Sequence, residues 1–470
     1  MAPPLSDRLK ITAAVLGAIF LAAMDVTAVA PAMPRIIGDL GGGELYAWAF
    51  TIYAVLSTTT TPVFGRLADR RGRRPVLLFG IGVFLLGSVA CGGAPTMELF
   101  LLARGLQGIG AGALLPTAFT IVGDLYDLRA RARVQGYLSG VWGVASVLGP
   151  LVGGTLVETL GWRWLFYINL PVGLLSAAVI ARRYREEGFP RAGAGLDLRG
   201  GAYFSCAILL VLLGLELEGA LRAGAIAAGV AATVGFVRRE RRAPHPLFDL
   251  SLFRIPVYRA ANLSGFFAGA VLLSLSAFLP VYVMNLRGGS AVLSGLVLTP
   301  MSFGWVVASV AGGRLLVRSG YRPIAIPGLL LLSGATFGLS RLGPETPIAI
   351  VALLMAGCGL GFGFSFTTFL VAVQEEVGPE KRGEATSAVQ FFRQIGGALG
   401  VAVLEVVFLA RVGEASLLEA RPGRVLDAAS RDAISGGFRE AFLFAALFAA
   451  AAVVAGMFAP GGRNPPAGGK

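Results

Sequence analysis

Long apolar runs alternate with short charged loops along this sequence, and that pattern is typical of a helical membrane protein. A helix crosses the hydrocarbon core of a bilayer with about 20 predominantly apolar residues. On that measure the sequence contains fourteen predicted spans. They cover residues 11–35, 45–66, 75–94, 97–123, 136–159, 164–182, 200–219, 221–238, 257–284, 291–316, 323–342, 347–374, 385–410 and 438–459.

The positions of the arginines predict the orientation. Arginine and lysine clusters occur in alternate loops, at 66–74, 129–133, 182–199, 238–254, 314–322 and 381–382. Basic residues beside spans are retained on the cytoplasmic side. Because the number of spans is even, both termini are predicted in the cytoplasm of a protein in the plasma (inner) membrane. The exception is the segment 411–437, predicted as an outer surface loop in which four arginines balance four acids.

The first basic loop, residues 65–75, recurs in weaker form at residues 313–323. Two glycines, three arginines, a leucine and a proline align at a constant offset of 248 positions. Such a repeat indicates two related halves, and in membrane proteins this architecture favours a transporter with its site between the halves. The offset is longer than six spans need. We therefore predict an all-α fold of fourteen helices arranged as 6+2+6: a six-helix bundle at 1–185, an inserted hairpin with flanking cytoplasmic loops at 186–256, and a second bundle at 257–470.

Composition narrows the class of protein. The chain of 470 residues is 55% hydrophobic and 14% charged, with a mean hydropathy of +0.74, whereas soluble domains are about 25% charged. The net charge of +13 falls in short loops and not on one soluble face, so no nucleic-acid partner is expected. His245 is the single histidine, and Cys91, Cys206 and Cys358 lie inside apolar runs. We expect no metal, no disulfide frame and no cofactor.

An acidic and a basic side chain are predicted at one depth in the membrane. Asp25 lies about 14 residues into the first span, ~21 Å along a helix, in a core about 30 Å thick. Arg104 enters the fourth span from the other side and lies about 7 residues in, ~10 Å deep. Ionisable groups this deep are costly and usually functional. The pair is therefore predicted to couple proton binding to transport, and a static salt bridge is the alternative.

The basic loop 65–75 combines glycines with one acid among arginines. Gly65 and Gly72 allow close approach and a tight turn. Asp69 can pair with Arg70 or Arg73, or cap the N-terminus of a neighbouring helix. A topology signal alone needs neither the glycines nor the acid. We therefore predict a conformational latch here, with a pure topology signal as the alternative.

Five stretches resemble the signature motifs of one family, in that family's order. They are MDVTAVAPAMPRI (24–36), GRLADRRGRR (65–74), ARGLQGIGAG (103–112), SVLGPLVGG (146–154) and GWRWLFYINLPVG (161–173). The sequence resembles the major facilitator superfamily and, within it, the fourteen-span drug:proton antiporters. This resemblance implies export of hydrophobic or amphipathic small molecules in exchange for protons, by alternating access of a monomer in the bilayer.

The resemblance also implies roles for particular residues. It gives Asp25 a role in proton and substrate binding. It places Asp69 against the start of the thirteenth span, near Glu384, in a contact that latches the outward-facing state. Asp124, at the cytoplasmic end of the fourth span, is a plausible partner of Arg73. The span-five motif, associated with closing the cavity from outside, comprises Gly149, Pro150, Gly153 and Gly154.

Further polar and aromatic side chains inside the spans are candidates for lining the substrate cavity. With Asp25 they are Tyr53, Gln107, Trp142, Asn262, Gln390, Arg393 and Gln394. Arg393 and Gln394 either contact an anionic or polar part of the cargo or brace the helix bundle.

Functions other than export are alternatives to this prediction. On the same fold, an uptake symporter or an exporter of lipids or siderophore-like metabolites stays open. An intramembrane enzyme would need a metal-binding or nucleophilic cluster at membrane depth, and the sequence has no HExxH, DDxxD or GxSxG motif. A channel would need a continuous pore, whereas this sequence shows two related halves with a predicted latch in a loop. No nucleotide-binding P-loop is present, so ATP is not the expected energy source.

Overall fold

The computed structural model describes residues 4–46, 48–186, 198–217, 219–243, 248–287, 293, 296–419 and 428–460, and the regular structure in these ranges is helical. The first helices are α1 (Leu5–Leu40), α2 (Trp48–Arg71), α3 (Arg73–Gly92), α4 (Met97–Leu125), α5 (Leu128–Thr159), α6 (Trp164–Tyr167), α7 (Asn169–Arg183), α8 (Leu198–Glu216) and α9 (Gly219–Glu240). They are followed by α10 (Pro256–Arg287), α11 (Thr299–Ser319), α12 (Arg322–Leu339), α13 (Ile348–Glu376), α14 (Arg382–Glu419) and α15 (Ala428–Met457). Short 3-10 turns occur at Gly43–Leu45, Leu250–Arg254 and Pro379–Lys381.

Every predicted span overlaps one of these helices, with α6 and α7 together forming the sixth. Within the described residues, ten helical stretches are long and apolar enough to cross a membrane. The spans predicted in α2, α5, α8 and α11 do not reach that threshold over the residues described. In α2 the reason is a threonine-rich middle and a charged C-terminal end. A membrane count of fourteen therefore stays a prediction.

The repeated basic loop forms the same kind of turn in both copies. Gly72 separates α2 from α3 with φ +97°, and Gly320 separates α11 from α12 with φ +78°. Only glycine adopts this left-handed region without a steric penalty. Gly72 and Gly320 thus each end one helix and allow the next to start within one or two residues.

The predicted outer surface segment 411–437 is helical over part of its length. Helix α14 continues to Glu419 and α15 already begins at Ala428, while residues 420–427 lie outside the described part of the chain. The segment around the end of α14 is rich in alanine, leucine, glutamate and arginine. These are strong helix formers, so a segment too polar to be predicted as a span is nevertheless helical.

The chain folds into two compact units. The first contains Met1–Asp127, Val144–Arg254 and Gln374–Phe391, and the second contains Leu128–Gly143, Ile255–Val373 and Phe392–Lys470. In the first unit α4 is the central helix, because it packs against α1, α2 and α3 and most of its side chains are buried. The inserted helices α8 and α9 belong to this unit. In the second unit α15 packs against α10 and α12. The three-part division at residues 185 and 256 stays a prediction.

Candidate functional site

A buried ion pair joins α1 to α4 in the first unit. Arg104 donates from Nη1 to Asp25 Oδ2, and both side chains are 1% exposed. The other carboxylate oxygen, Oδ1, accepts from Gln107 Nε2 at 3.0 Å. Arg104 also donates through Nε to the carbonyl oxygen of Ala49 at 3.1 Å. Asp25 thus receives hydrogen bonds from two donors, an arrangement that suits its ionised form.

Hydrogen bonds extend from this pair across two more helices. Gln107 Nε2 donates to Ser88 Oγ at 2.8 Å, and Asn169 Nδ2 donates to the same oxygen at 3.1 Å. Gln107 Oε1 in turn accepts from Arg104 Nη1 at 2.7 Å. We call Asp25, Ser88, Arg104, Gln107 and Asn169 the intramembrane network. It connects α1, α3, α4 and α7, so a change in the charge of Asp25 reaches four helices.

Tyr53 lies beside this network. The guanidinium carbon of Arg104 is 4.5 Å from the centre of the Tyr53 ring, which is a cation–π contact. Tyr53 is buried, 7% exposed. A cation in this environment depends on the carboxylate for charge compensation, since a buried charge without a partner is strongly destabilising. Protonation of Asp25 would remove that compensation.

A second cluster forms where α2 ends and α14 begins. Asp69 Oδ1 accepts from the backbone N–H of Gly383 at 2.9 Å, and Oδ2 accepts from the N–H of Glu384 at 2.6 Å. Arg73 Nη2 donates to Asp69 Oδ1 at 2.8 Å. A carboxylate is favourable at a helix N-terminus because free N–H groups and the helix dipole point toward it. Asp69 therefore binds the first turn of α14.

Arg73 connects this contact to α4. Its side chain is fully buried, Nε lies 3.0 Å from Asp124 Oδ2, and Nη2 donates to the carbonyl oxygen of Pro379 at 2.7 Å. Arg382 Nη1 donates to Asp124 Oδ1 and, at 3.1 Å, to the carbonyl oxygen of Gly123. We call the set Asp69, Arg73, Asp124, Arg382, Gly383 and Glu384 the loop latch. Its charges alternate, so each buried charge has an opposite neighbour.

Gly65 and Arg70 of the loop motif lie in the last turns of α2. A Cβ on Gly65 would lie 2.1 Å from Ser387 Oγ and 2.8 Å from the carbonyl oxygen of Gly383, so α2 and α14 approach backbone to backbone there. Arg70 is half-buried at the end of α2. Glu186, which the sequence pattern did not indicate, accepts from the N–H groups of Arg73 and Arg74 and caps α3. Burial raises the pKa of Glu186, and those N–H groups oppose the shift.

A family comparison agrees with this all-helical architecture. Residues 15–401 match the model of the Major Facilitator Superfamily. The chain belongs to this superfamily. It is therefore a transporter and not an enzyme, and it crosses the membrane several times.

Relatives within the superfamily include drug transporters. The chain is 36% identical over 416 residues to the multidrug transporter protein MdtP of Bacillus subtilis, covering 87% of this chain and 76% of the relative. It is 34% identical over 396 residues to multidrug resistance protein 3 of the same organism, covering 83% and 77%. The fold is similar to that of the human organic anion transporter MFSD10, with a TM-score of 0.67 at 15% identity over 97% of this chain and all of that one.

The span-five motif packs on α1 through two of its glycines. A Cβ on Gly149 would lie 2.0 Å from Thr27 Oγ1, and one on Gly153 would lie 2.9 Å from the carbonyl oxygen of Ala28. Thr27 Oγ1 also donates to the carbonyl oxygen of Ala145 at 2.9 Å. Nothing lies within 4 Å of a Cβ on Gly154. The side chain of Pro150 lies outside the described part of the structure.

The different surroundings of Gly149 and Gly154 predict unequal effects of alanine at these two positions. Gly149→Ala is expected to destabilise the protein by about 1–3 kcal/mol, because the new methyl group overpacks the α1–α5 contact. Gly154→Ala, in the same helix and motif, is expected to leave stability unchanged or slightly raised, since alanine is the better helix former. Thermal unfolding of both detergent-solubilised variants checks this. Equal unfolding temperatures would refute the assignment of Gly149 to the close contact.

The candidate cavity residues are divided between the two units. Gln107 belongs to the intramembrane network and Tyr53 lies beside it, and Gln390 is buried in the first unit. The other four, which lie in the second unit, are Trp142, Asn262, Arg393 and Gln394.

In the second unit Arg393 and Asn262 have different surroundings. The guanidinium carbon of Arg393 is 4.9 Å from the centre of the Phe366 ring. Asn262 is fully buried and donates to the carbonyl oxygen of Tyr258 in its own helix at 2.7 Å. Trp305, which the sequence analysis did not select, stacks on Phe362 with ring centres 5.6 Å apart. Trp142 and Gln394 are half-buried.

Sequence reasoning also missed Ser88 and the polar contact of Cys91. Ser88 is fully buried in the C-terminal part of α3 and accepts hydrogen bonds from the amides of Gln107 and Asn169. Cys91 is buried as expected of a small apolar residue, but its thiol also contacts Gln107 Oε1 at 3.4 Å. A lone serine in an apolar run is a weak signal, because serine hydroxyls in helices often bond their own backbone.

Proposed function

We propose that this protein is a proton-coupled exporter of hydrophobic or amphipathic small molecules that works by alternating access. The names of the two Bacillus relatives support small-molecule drugs as the cargo class. The five motifs described above support the fourteen-span branch, with helices arranged as 6+2+6 and both termini in the cytoplasm of the plasma (inner) membrane.

The observation that carries this proposal is the buried pair of Asp25 and Arg104. A carboxylate that is 1% exposed and accepts hydrogen bonds from Arg104 and Gln107 is poised to exchange a proton for a rearrangement of those donors. When Asp25 binds a proton, its attraction for Arg104 weakens. A move of Arg104 toward another partner or toward water then becomes favourable, because its charge is no longer compensated. The loss of the proton restores the pair.

The loop latch supplies the second part of the mechanism. We propose that it stabilises the outward-facing state, in which Asp69 holds the N-terminus of α14. The second copy of the motif has Val317 at the position that aligns with Asp69 at the repeat offset of 248. The latch is therefore one-sided.

In the proposed cycle, proton entry drives cargo out. Asp25 takes a proton from outside as the cargo leaves, and releases it to the cytoplasm after the protein changes state. Tyr53, Trp142, Asn262, Gln390, Arg393 and Gln394 are proposed to contact the cargo.

Proteoliposomes with an imposed pH gradient test this function. Purified wild-type protein is reconstituted, and a lipophilic fluorescent cation and the internal pH are followed together. Export by antiport predicts cargo and proton fluxes of opposite sign, each dependent on the other. Fluxes of the same sign would show a symporter. No cargo movement by folded protein would refute drug-like cargo and make a lipid the next cargo to test.

A further inference from the structure

The inserted helices α8 and α9 form a closely packed hairpin. A Cβ on Gly229 of α9 would lie 2.7 Å from Val211 Cγ2 and 3.0 Å from Val211 N, so the two helices nearly touch there. Over its full length α9 buries only Gly229, Phe236 and Glu240. Two of these three lie in its last turns. The hairpin is therefore held to the rest of the first unit mainly near that end, and by the packing of α8 against α2.

Four buried phenylalanines connect the hairpin to α14. Phe204 of α8 has its ring centre 5.2 Å from Phe236 of α9, 5.4 Å from Phe248 and 5.0 Å from Phe391 of α14. Phe248 and Phe391 are 5.9 Å apart. We call these four residues the phenylalanine cluster. Tilted and edge-to-face rings at such distances attract each other, in addition to the free energy of burying their surfaces. The hairpin therefore packs directly against the first turns of α14.

Polar contacts next to the cluster lead to the same helix. The carboxylate of Glu240 accepts from the N–H of Phe248, and the N–H of Asp249 donates to the carboxylate of Glu384. Lys381 donates to the carboxylate of Asp249. Burial opposes ionisation of Asp249, but hydrogen bonds from Lys381 and Ser251 outweigh it and lower its pKa. Asp249 is thus a stable anion opposite Lys381.

Glu384 is where the hairpin contacts and the loop latch meet. Its backbone N–H donates to Asp69 Oδ2 at 2.6 Å. Its carboxylate accepts from Asp249 N and lies 3.4 Å from Arg66 Nη1. Asp69 therefore binds the backbone of Glu384, and the segment that follows the hairpin binds its side chain.

We propose that the inserted hairpin positions the N-terminus of α14 for Asp69 and so stabilises the closed loop latch. The proposal rests on the latch of the proposed function and adds a role for the two extra helices. The hairpin then acts on the equilibrium between transport states. Loss of its contacts opens the latch even though every latch residue is intact.

Hydrogen–deuterium exchange of the full-length protein in lipid nanodiscs measures the latch directly, because the N–H groups of Gly383 and Glu384 donate the hydrogen bonds to Asp69. We compare Phe204→Ala with Tyr203→Ala, the neighbouring aromatic on the same helix, which is 49% exposed. Phe204→Ala is expected to raise exchange in the peptide carrying Gly383 and Glu384 about 5- to 10-fold. Tyr203→Ala is expected to leave it unchanged.

A charge exchange guards against simple misfolding of the hairpin. Asp249→Lys alone is expected to raise the same exchange, and the double variant Asp249→Lys with Lys381→Asp is expected to restore it, because the pair is rebuilt in reverse. Failure of the double variant to restore protection would overturn the role of this pair.

The variant Asp69→Ala separates the two levels of the proposal. If it raises exchange at Gly383 and Glu384 but Phe204→Ala and Asp249→Lys do not, the latch stands and the role of the hairpin is refuted. If Asp69→Ala itself leaves exchange unchanged, the latch is refuted and the hairpin proposal with it.

Discussion

Replacing Asp25 with asparagine is expected to reduce pH-gradient-driven transport in proteoliposomes to the rate of protein-free vesicles. Asparagine cannot bind and release a proton, so the step that couples the gradient to movement is lost. Asparagine retains an oxygen that can accept from Gln107 or Arg104. Loss of the charge still leaves a buried guanidinium uncompensated, and breaking such pairs costs about 3–5 kcal/mol. Lower thermal stability is therefore expected along with lost coupling.

Two further variants make the Asp25 result interpretable. Asp25→Glu keeps a titratable carboxyl and should keep part of the coupled transport. Asp39→Asn removes a carboxylate from the same helix at a half-exposed position, where an amide oxygen can still accept from Trp162 Nε1. It should transport like wild type. Wild-type transport by folded Asp25→Asn would show that the Asp25–Arg104 pair is a static salt bridge.

Replacing Asp69 with alanine is expected to slow transport about 10-fold or more while leaving substrate binding intact. The substitution removes hydrogen bonds from two helix N–H groups and from Arg73. Hydrogen bonds to a charged group contribute about 1.5–3 kcal/mol each, so the equilibrium constant for closing the latch falls at least about tenfold. Arg73 also loses one of its two carboxylate neighbours.

Initial transport rates and equilibrium binding of the same fluorescent cation check this prediction. Glu380→Ala is the matched control, because it removes an exposed acid from the 3-10 turn just before α14. If Asp69→Ala and Glu380→Ala transport equally well, the acid in the basic loop has no latch function, and the loop remains a topology signal.

Hydropathy alone predicted which segments are helical, because a span is a local property of about 20 neighbouring residues. It gave no indication of helix at residues 411–437, which are too polar to suggest a span but are helical as far as Glu419 and from Ala428 onward. Counting residues along two predicted helices also predicted one membrane depth for Asp25 and Arg104. Their direct contact across 79 positions is seen only in the fold.

What the sequence by itself determined was therefore the helical plan, the internal repeat and a short set of polar residues too costly to bury without purpose. The tertiary structure decided their partners. Gln107 reaches Ser88, Arg73 lies between Asp69 and Asp124, and the hairpin segment meets α14 at Glu384. Such contacts depend on how each helix is rotated and how deeply it is set against its neighbours. No local pattern encodes that geometry, since the contacting residues lie up to hundreds of positions apart and are chosen by packing.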